Sequence, residues 1–286
     1  MRDRGTYAGG GLMGAIVLFV LAGPLLWPLG PSEMDLAARN AGASLAHPLG
    51  TDQLGRDMLA RLMAGGRLSL ATGFAAMAVA LLVGAGVGIA AGLSRRLDAP
   101  LMRLTDLFLS LPVLPLLLIA ATLFRAPLAA RFGAEAGLFI LVAGLIGLTS
   151  WMAPARILRG EVRGLSQSDM IRAARSTGTR LPQMIGRHIL PAIAGSLGVA
   201  AALGVASAIL MESALSFLGL GFPSDIASWG RLLHEGTPHL GSHPGRALWP
   251  GALISAVALA ATLMGDGLRD MASGGRRAAR QARHMV

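Results

Sequence analysis

Six long apolar stretches, separated by connections rich in arginine, are the feature that most restricts what this chain can fold into. A helix needs about 20 predominantly apolar residues to cross a bilayer core of about 30 Å. The stretches of this kind are residues 11–29, 68–93, 104–124, 137–155, 192–216 and 248–268. Only 14% of the residues are charged, against roughly 25% in a soluble domain. The sequence therefore predicts an all-α, polytopic membrane protein with six transmembrane helices.

The first apolar stretch follows a short basic leader, Arg2 and Arg4, which is also how a cleavable signal peptide begins. The stretch ends at Trp27 and Pro28 rather than at the small-x-small pattern of a cleavage site. Because tryptophan is frequent at membrane interfaces, we interpret the stretch as a retained first helix.

The distribution of the arginines indicates how the chain is oriented in the membrane. If the N-terminus is cytoplasmic, 17 of the 25 basic residues fall in cytoplasmic segments, as the positive-inside rule expects. With an even number of spans, both termini are then expected in the cytoplasm. Arginines between apolar spans favour contact with anionic lipid over binding of nucleic acid.

The basic residues are all arginine, and this excludes one activity. A nucleotide-binding P-loop places a lysine on the terminal phosphates, and the chain contains no lysine. Any ATP hydrolysis is therefore expected from a partner. The absence of cysteine excludes disulfides and thiolate metal sites.

One connection, residues 156–191, is long, polar and rich in arginine, and we call it the elbow. Glycine permits a sharp turn and proline suits the first turn of a helix. Gly178 and Pro182 thus predict two short helices joined by a turn.

The elbow contains the sequence RAARSTGTRLPQMIGRHILP, residues 172–191, which resembles the coupling loop of binding-protein-dependent ABC importer permeases. The residues that fit that pattern are Ala173, Ala174, Gly178, Leu190 and Pro191. Arg172 stands where the family has glutamate, and His188 where it has isoleucine. The resemblance implies that the elbow docks on an ATPase, with Arg172, Arg175 and Arg180 as candidate contacts. From position alone, these arginines fit solvated topology determinants equally well.

Residues 47–70, 95–112, 212–233 and 265–270 also resemble segments of the dipeptide, oligopeptide and nickel importer permeases. The resemblance implies a type I importer fold and the shorter of two permeases in the inner membrane. The expected partners are a second permease, two ATPases that carry ATP and Mg²⁺, and an external solute-binding protein. The expected divisions are residues 1–67 (tail, first helix and external loop), 68–268 (permease core) and 269–286 (basic cytoplasmic tail).

The external signature, Gly50, Thr51, Asp52, Gly55, Arg56 and Asp57, is expected to form a turn and a short surface helix. It would contact the binding protein or brace an external gate. The alternative for Asp57 is a plain ion pair with Arg61, four residues on.

A few further polar residues stand out against the apolar background. Glu212, at the end of the fifth stretch, is a functional candidate because ionisable groups at membrane depth are costly. We favour a structural role for it, with Ser213 and Ser216 as partners. Asp106 is expected to pair with Arg103.

Three histidines, His234, His239 and His243, share the last external loop, and the resemblance includes nickel importers. They lack fixed helical spacing, so no metal site is predicted. The alternatives that remain are a permease for nickel or another non-peptide solute, and an ATP-independent secondary transporter. A secondary transporter would be expected to carry mid-membrane charges or paired broken spans.

Overall fold

A computed structural model describes the backbone of residues 4–284 and the side chains of residues 5–271. The helices are α1 (Arg4–Leu26), α2 (Met58–Leu93), α3 (Arg95–Ser110), α4 (Val113–Phe132), α5 (Ala134–Leu148), α6 (Met152–Ser166), α7 (Asp169–Ser176), α8 (Leu181–Met184), α9 (Leu190–Phe217), α10 (Trp229–Gly236) and α11 (Gly245–His284). Arg2, and the side chains of the predicted basic tail beyond residue 271, lie outside the described part. The all-α prediction is confirmed.

Five helical stretches in the described part are long and apolar enough to cross a membrane: Gly5–Leu26, Met58–Leu93, Val113–Phe132, Leu181–Phe217 and Gly245–Met271. Helices α5 and α6, bent by 45° at a short break, make a sixth if they are counted as one span. The six predicted spans correspond to these elements, although several boundaries differ.

The third span was predicted as one helix over residues 104–124, and this is wrong. The chain breaks at Leu111, whose backbone is extended with φ −76° and ψ 138°. Pro112 follows, and a residue before proline is disfavoured in the helical conformation. As a result α3 is a separate amphipathic helix, and α4 forms the span.

The fourth span was predicted to be continuous over residues 137–155, but it is interrupted between Leu148 and Met152. The hydroxyl of Thr149 donates to the carbonyl of Leu145 at 2.8 Å, which satisfies one carbonyl at the end of α5. Pro154 has no N–H to give to the carbonyl of Ser150, so one bond of the α-helical ladder is missing at this point.

Glycine allows the longest helix, α2, to pack closely against α6. A Cβ added at Gly84 would lie 2.8 Å from the carbonyl oxygen of Trp151, and one at Gly88 would lie 2.7 Å from that of Ala155. Small residues at this four-residue spacing let two backbones approach, as is common between membrane helices.

The molecule has two ends, set by the alternating direction of the helices. The first turns of α1 lie against the last turns of the α11 span, since a Cβ at Gly9 would be 2.9 Å from the nitrogen of Met264. This end also holds the elbow, and we call it the elbow end. The opposite end holds residues 27–57 and 218–244, and we call it the loop end.

Candidate functional site: the elbow and the buried charge cluster

Helix α7 ends at a tight turn on Gly178, as the sequence predicts. Gly178 has φ +73°, a left-handed conformation that glycine adopts without a Cβ penalty. The N–H of Thr179 donates to the carbonyl of Ala174 at 3.0 Å, and that of Gly178 to the carbonyl of Arg175 at 3.1 Å. This pair of bonds is the Schellman motif, which stops a helix and fixes the direction in which the chain leaves it.

The second half of the elbow differs from the prediction of a short helix. Helix α8 begins at Leu181 with Pro182 in its first turn, then widens into a π-helical turn over Ile185–Ile189 and continues directly into α9. The N–H of Leu190 bonds to Ile185 five residues back. Pro191 has no N–H to donate, which accounts for a widened ladder at this point.

Helix α7 packs on the bundle with one face and exposes the other. Ile171 is fully buried in a cluster that includes Leu158 and Ile189, and Ala174 is also buried, at 8% exposure. Ala174 is therefore covered by this chain itself, whereas Ala173 is exposed. Of the elbow residues singled out in the sequence, those at the surface are Arg172, Ala173, Arg175, Gly178, Arg180, Leu190 and Pro191, and His188 is half-buried.

The elbow end also contains a polar contact between α3 and α6. Asp98 accepts hydrogen bonds from Arg159, through Nη2 at 2.8 Å, and from Nη1 of Arg163 at 2.6 Å. The hydrogen bond from Arg159 and the nearby positive charges hold the pKa of Asp98 below its ordinary value of 3.8, against the opposing effect of burial. Asp106 pairs with Arg156 of α6. The predicted partner, Arg103, was wrong because the choice considered only neighbours on the same helix.

At the loop end, the external signature is a buried turn. Gly50 and Gly55 both have positive φ, at +77° and +74°. The carbonyl oxygen of Ala41 lies 2.7 Å from where a Cβ of Gly50 would be, so the backbone passes too closely for a side chain. Thr51 and Asp57 form an isolated antiparallel bridge. The expected surface helix is absent from residues 50–57, because the helix that follows is the buried start of α2.

Asp52 is the centre of this turn. Its carboxylate accepts the backbone N–H groups of Leu54 and Arg56 at 2.8 and 3.0 Å. It also accepts Nε of Arg56 and Nη1 of Arg61, each at 2.6 Å. Burial raises the pKa of Asp52, but these hydrogen bonds and the charge of Arg61 outweigh burial, so the pKa lies below its ordinary value.

Arg61 connects the turn to α10. Its side chain is 2% exposed, and Nη1 donates to Glu235 at 2.9 Å as well as to Asp52. Glu235 also accepts Nε of Arg231 at 3.0 Å. Arg246, at the start of α11, donates to the carbonyl of Thr51 at 2.6 Å. We call Asp52, Arg56, Arg61, Arg231, Glu235 and Arg246 the charge cluster.

The alternative pairing of Asp57 with Arg61 is wrong. The carboxylate of Asp57 caps α2, accepting the N–H of Ala60 at 2.7 Å, and Arg61 pairs with Asp52 and Glu235 instead. It also accepts the indole N–H of Trp27 at 3.1 Å and lies 2.9 Å from Nδ1 of His47. Asp57 thereby fixes the loop over residues 27–57 to the first turn of α2.

Glu212 is fully buried where three helices meet. It accepts the hydroxyl of Ser216, one of the two expected partners, at 2.7 Å, and that of Ser69 from α2 at 2.9 Å. The N–H of Trp229, at the start of α10, donates to the same Ser69 oxygen at 3.1 Å. This chain of hydrogen bonds joins α2, α9 and α10, which supports a structural role.

The three histidines do not converge. The ring of His234 packs edge-on against Phe217 with centroids 5.7 Å apart, and His243 lies 3.1 Å from the carbonyl oxygen of Asn40. Within the described residues, no group of three or more His, Cys, Asp or Glu side chains is arranged to hold a metal ion.

Sequence reasoning overlooked several members of these networks, including Glu235, Arg246 and Ser69. Glu235 follows Arg231 by four residues, which signals a helical ion pair but not its link to Asp52. The contact between Thr51 and Arg246 joins positions 195 residues apart, so no local sequence pattern predicts it.

Comparison with known proteins gives a consistent result. Residues 81–275 match a family model described as binding-protein-dependent transport system inner membrane component. A Brucella suis protein named as a peptide permease is 36% identical over 273 residues, covering 94% of this chain and 87% of the relative. The oligopeptide transport system permease protein OppC of Bacillus subtilis is 32% identical over 256 residues, covering 89% and 80%. OppC of Haemophilus influenzae is 31% identical over 272 residues, covering 94% and 84%.

Proposed function

Because the chain belongs to the family of binding-protein-dependent transport system inner membrane components, we propose that it is the permease subunit of an ABC importer for peptides. The peptide cargo is carried over from the names of the relatives in Brucella, Bacillus and Haemophilus. The helical bundle provides one wall of the pathway, and an external binding protein delivers the cargo.

The proposal assigns ATP hydrolysis to other chains. The sequence has no lysine for a P-loop, so ATP and Mg²⁺ belong to two partner ATPases. The complete importer contains a second, similar permease. The distribution of arginines supports an orientation with the elbow end and both termini in the cytoplasm, and the loop end outside.

One observation carries the mechanism: the elbow is rigidly connected on both sides of Gly178. Before the glycine, α7 is anchored through Ile171 in the core. After it, the helix runs without a break from Leu181 to Phe217, across the whole membrane. A force applied to the exposed face of α7 is therefore transmitted to a spanning helix, and the elbow acts as a lever between ATPase closure and the pathway.

A pull-down of the tagged chain from mild detergent tests this function, with wild type beside Gly178→Trp. Nothing lies within 4 Å of a Cβ at Gly178, so the indole would project from the elbow into the space assigned to the ATPase. We expect wild type to recover a second permease and ATPases, and Gly178→Trp to lose the ATPases while it keeps the permease.

The matched control is Gly133→Trp, at the loop end. Gly133 also has positive φ, +84°, and open space at its Cβ, so the added bulk is the same, and its ψ of 160° makes the backbone strain at least as large. Gly178→Asn adds a residue that tolerates this conformation with little bulk. Both controls should retain the ATPases. A wild-type chain that is recovered without any ATPase would instead favour an ATP-independent transporter.

A further inference from the structure

A basic pocket lies at the elbow end, beside α7. It has a volume of about 340 Å³ and opens between the end of α2, the start of α3, the end of α6 and α7. Three arginines from three different helices line it: Arg95, Arg163 and Arg175. Small-molecule sites begin at about 300 Å³, so the pocket has room for a phosphate-sized group with water.

The charges in this pocket do not balance. Asp98 is its one acidic residue among the lining side chains, and that carboxylate is already bonded by Arg159 and Arg163. Among residues 5–271, the guanidinium groups of Arg95 and Arg175 make no hydrogen bond or ion pair. The end of α2 and the start of α3 carry helix-dipole charges of about half a unit and opposite sign, which offset each other. The two unpaired arginines therefore give the pocket a net positive charge.

The position of the pocket indicates where its ligand comes from. Ala91, Gly92 and Leu93, the last turn of a helix long and apolar enough to span the membrane, form one wall, so the pocket lies at the elbow-side end of that helix. The adjoining helix α3 exposes a leucine stripe on one face, with Leu97, Leu104 and Leu107 between 42% and 59% exposed. An amphipathic helix of this kind suits the boundary between headgroups and acyl chains.

We propose that this pocket binds a phosphate group, with the headgroup of an anionic phospholipid as its source. Arginine pairs favourably with phosphate because its planar fork donates two parallel hydrogen bonds. A phosphate held by Arg95 and Arg175 would connect α3 to α7, and thus fix the elbow to the spanning bundle. The lipid would then regulate how freely the elbow moves.

The test compares three forms of the full-length chain, together with any subunits that co-purify: wild type, Arg95→Gln/Arg175→Gln, and Arg96→Gln/Arg103→Gln. The control pair removes the same charge from α3 outside the pocket, and all four arginines are exposed, so folding should survive. Each form is unfolded thermally in phosphatidylcholine nanodiscs with or without phosphatidylglycerol. A further arm adds inorganic phosphate to neutral nanodiscs, against chloride at equal ionic strength.

We expect phosphatidylglycerol to raise the unfolding midpoint of wild type and control by about 3 °C, and that of the pocket variant by much less. Mass spectrometry should find less phosphatidylglycerol retained by the pocket variant. A different result would be that inorganic phosphate stabilises wild type and control, and the pocket variant much less. That result would support the phosphate site and identify its ligand as the free anion rather than a lipid headgroup.

Equal responses of both double variants, or no response in wild type, would overturn the proposal, because surface charge in general would then explain the data. Loss of co-purifying ATPase in the pocket variant without any lipid or phosphate effect would also overturn it, in favour of a protein contact. None of these readouts needs transport, so they remain informative even if the importer function is wrong.

Discussion

The charge cluster at the loop end and the ion pair on α7 at the elbow end use charged side chains in opposite ways. At the loop end, Asp52, Arg61 and Glu235 form direct ion pairs with side chains no more than 10% exposed. At the elbow end, the pair between Arg172 and Asp169 spans 3.6 Å with side chains 71% and 89% exposed. Ion pairs in water contribute little to stability, whereas a buried charge that loses its partner is strongly destabilising.

This difference indicates that the loop end is held rigid by buried ion pairs, whereas the elbow end leaves charged side chains exposed and available to a partner. The charge cluster ties the turn at residues 50–57 to α10 and α11, so the loop end is expected to move as one body. The elbow end leaves arginines at the surface and changes direction at Gly178. An importer that receives cargo on one side and force on the other needs this asymmetry, and variants at each end test it.

The largest effect is expected from Arg61→Met in the charge cluster. This change removes the guanidinium between buried Asp52 and Glu235, which keep Arg56 and Arg231 as partners, so it costs about 3 kcal/mol of unfolding free energy, the lower end for a broken buried pair. Denaturant titration in detergent measures this loss. Arg231→Gln is the matched control, because the Arg231 side chain is 19% exposed and, within the described residues, bonds to Glu235 alone, and its cost should be about 1 kcal/mol or less.

If Arg61→Met were no more destabilising than Arg231→Gln, the cluster would not be the rigid unit described above, and the contrast between the two ends would fail. A smaller loss with unchanged denaturant dependence would mean that water enters the cluster in the variant.

The elbow could be predicted from the sequence and the charge cluster could not, for a physical reason. Gly178 and Pro182 act on their own turn of the chain, so their local signal fixes the end of α7 and the start of α8. The partners of Arg61 lie 9 and 174 residues away in the sequence. Only the packing of α10 on α2 brings Glu235 to it, and hydropathy carries no information on that pairing.

The spans show the same limit. Their number and order follow from apolar length, because a bilayer requires about 20 apolar residues whatever the neighbours are. The breaks at Leu111 and at Thr149 depend on single prolines, at positions 112 and 154, within otherwise suitable runs. Proline is tolerated in many membrane helices, so its presence alone did not reveal which spans would break.

The buried hydrogen bonds of Glu212, on the membrane side of the loop end, give a further test of how that end is stabilised. Glu212→Leu removes the acceptor for Ser69 and Ser216 and leaves two buried hydroxyls without it, at a cost of about 2 kcal/mol. Glu212→Gln keeps a carbonyl oxygen for one of them and should cost about half as much. Denaturant titration of both variants checks the order. Equal losses would show that the retained carbonyl oxygen contributes little to stability.

The stability that Asp98 contributes at the elbow end is expected to depend on pH. Its folded pKa is lowered by Arg159 and Arg163, so the contact stabilises the fold fully above the ordinary value of 3.8. This contribution is lost as the pH falls below 3.8 and through the folded pKa. The difference in unfolding midpoint between wild type and Asp98→Asn should stay constant from neutral pH to about pH 5 and shrink below about pH 4. A difference that shrinks already near neutral pH would contradict this assignment.

The smallest effect is expected at Arg172, where the family pattern has glutamate. Its pair with Asp169 is long and exposed to water, so Arg172→Ala should change the unfolding free energy by about 0.5 kcal/mol or less. Arg172→Glu places two acidic residues three apart on α7, and repulsion in water is similarly weak. A loss above about 1 kcal/mol in either variant would mean that the elbow end relies on its ion pairs as the loop end does. If stability holds in both while the pull-down loses the ATPases only in Arg172→Glu, then the charge at this position serves the partner rather than the fold.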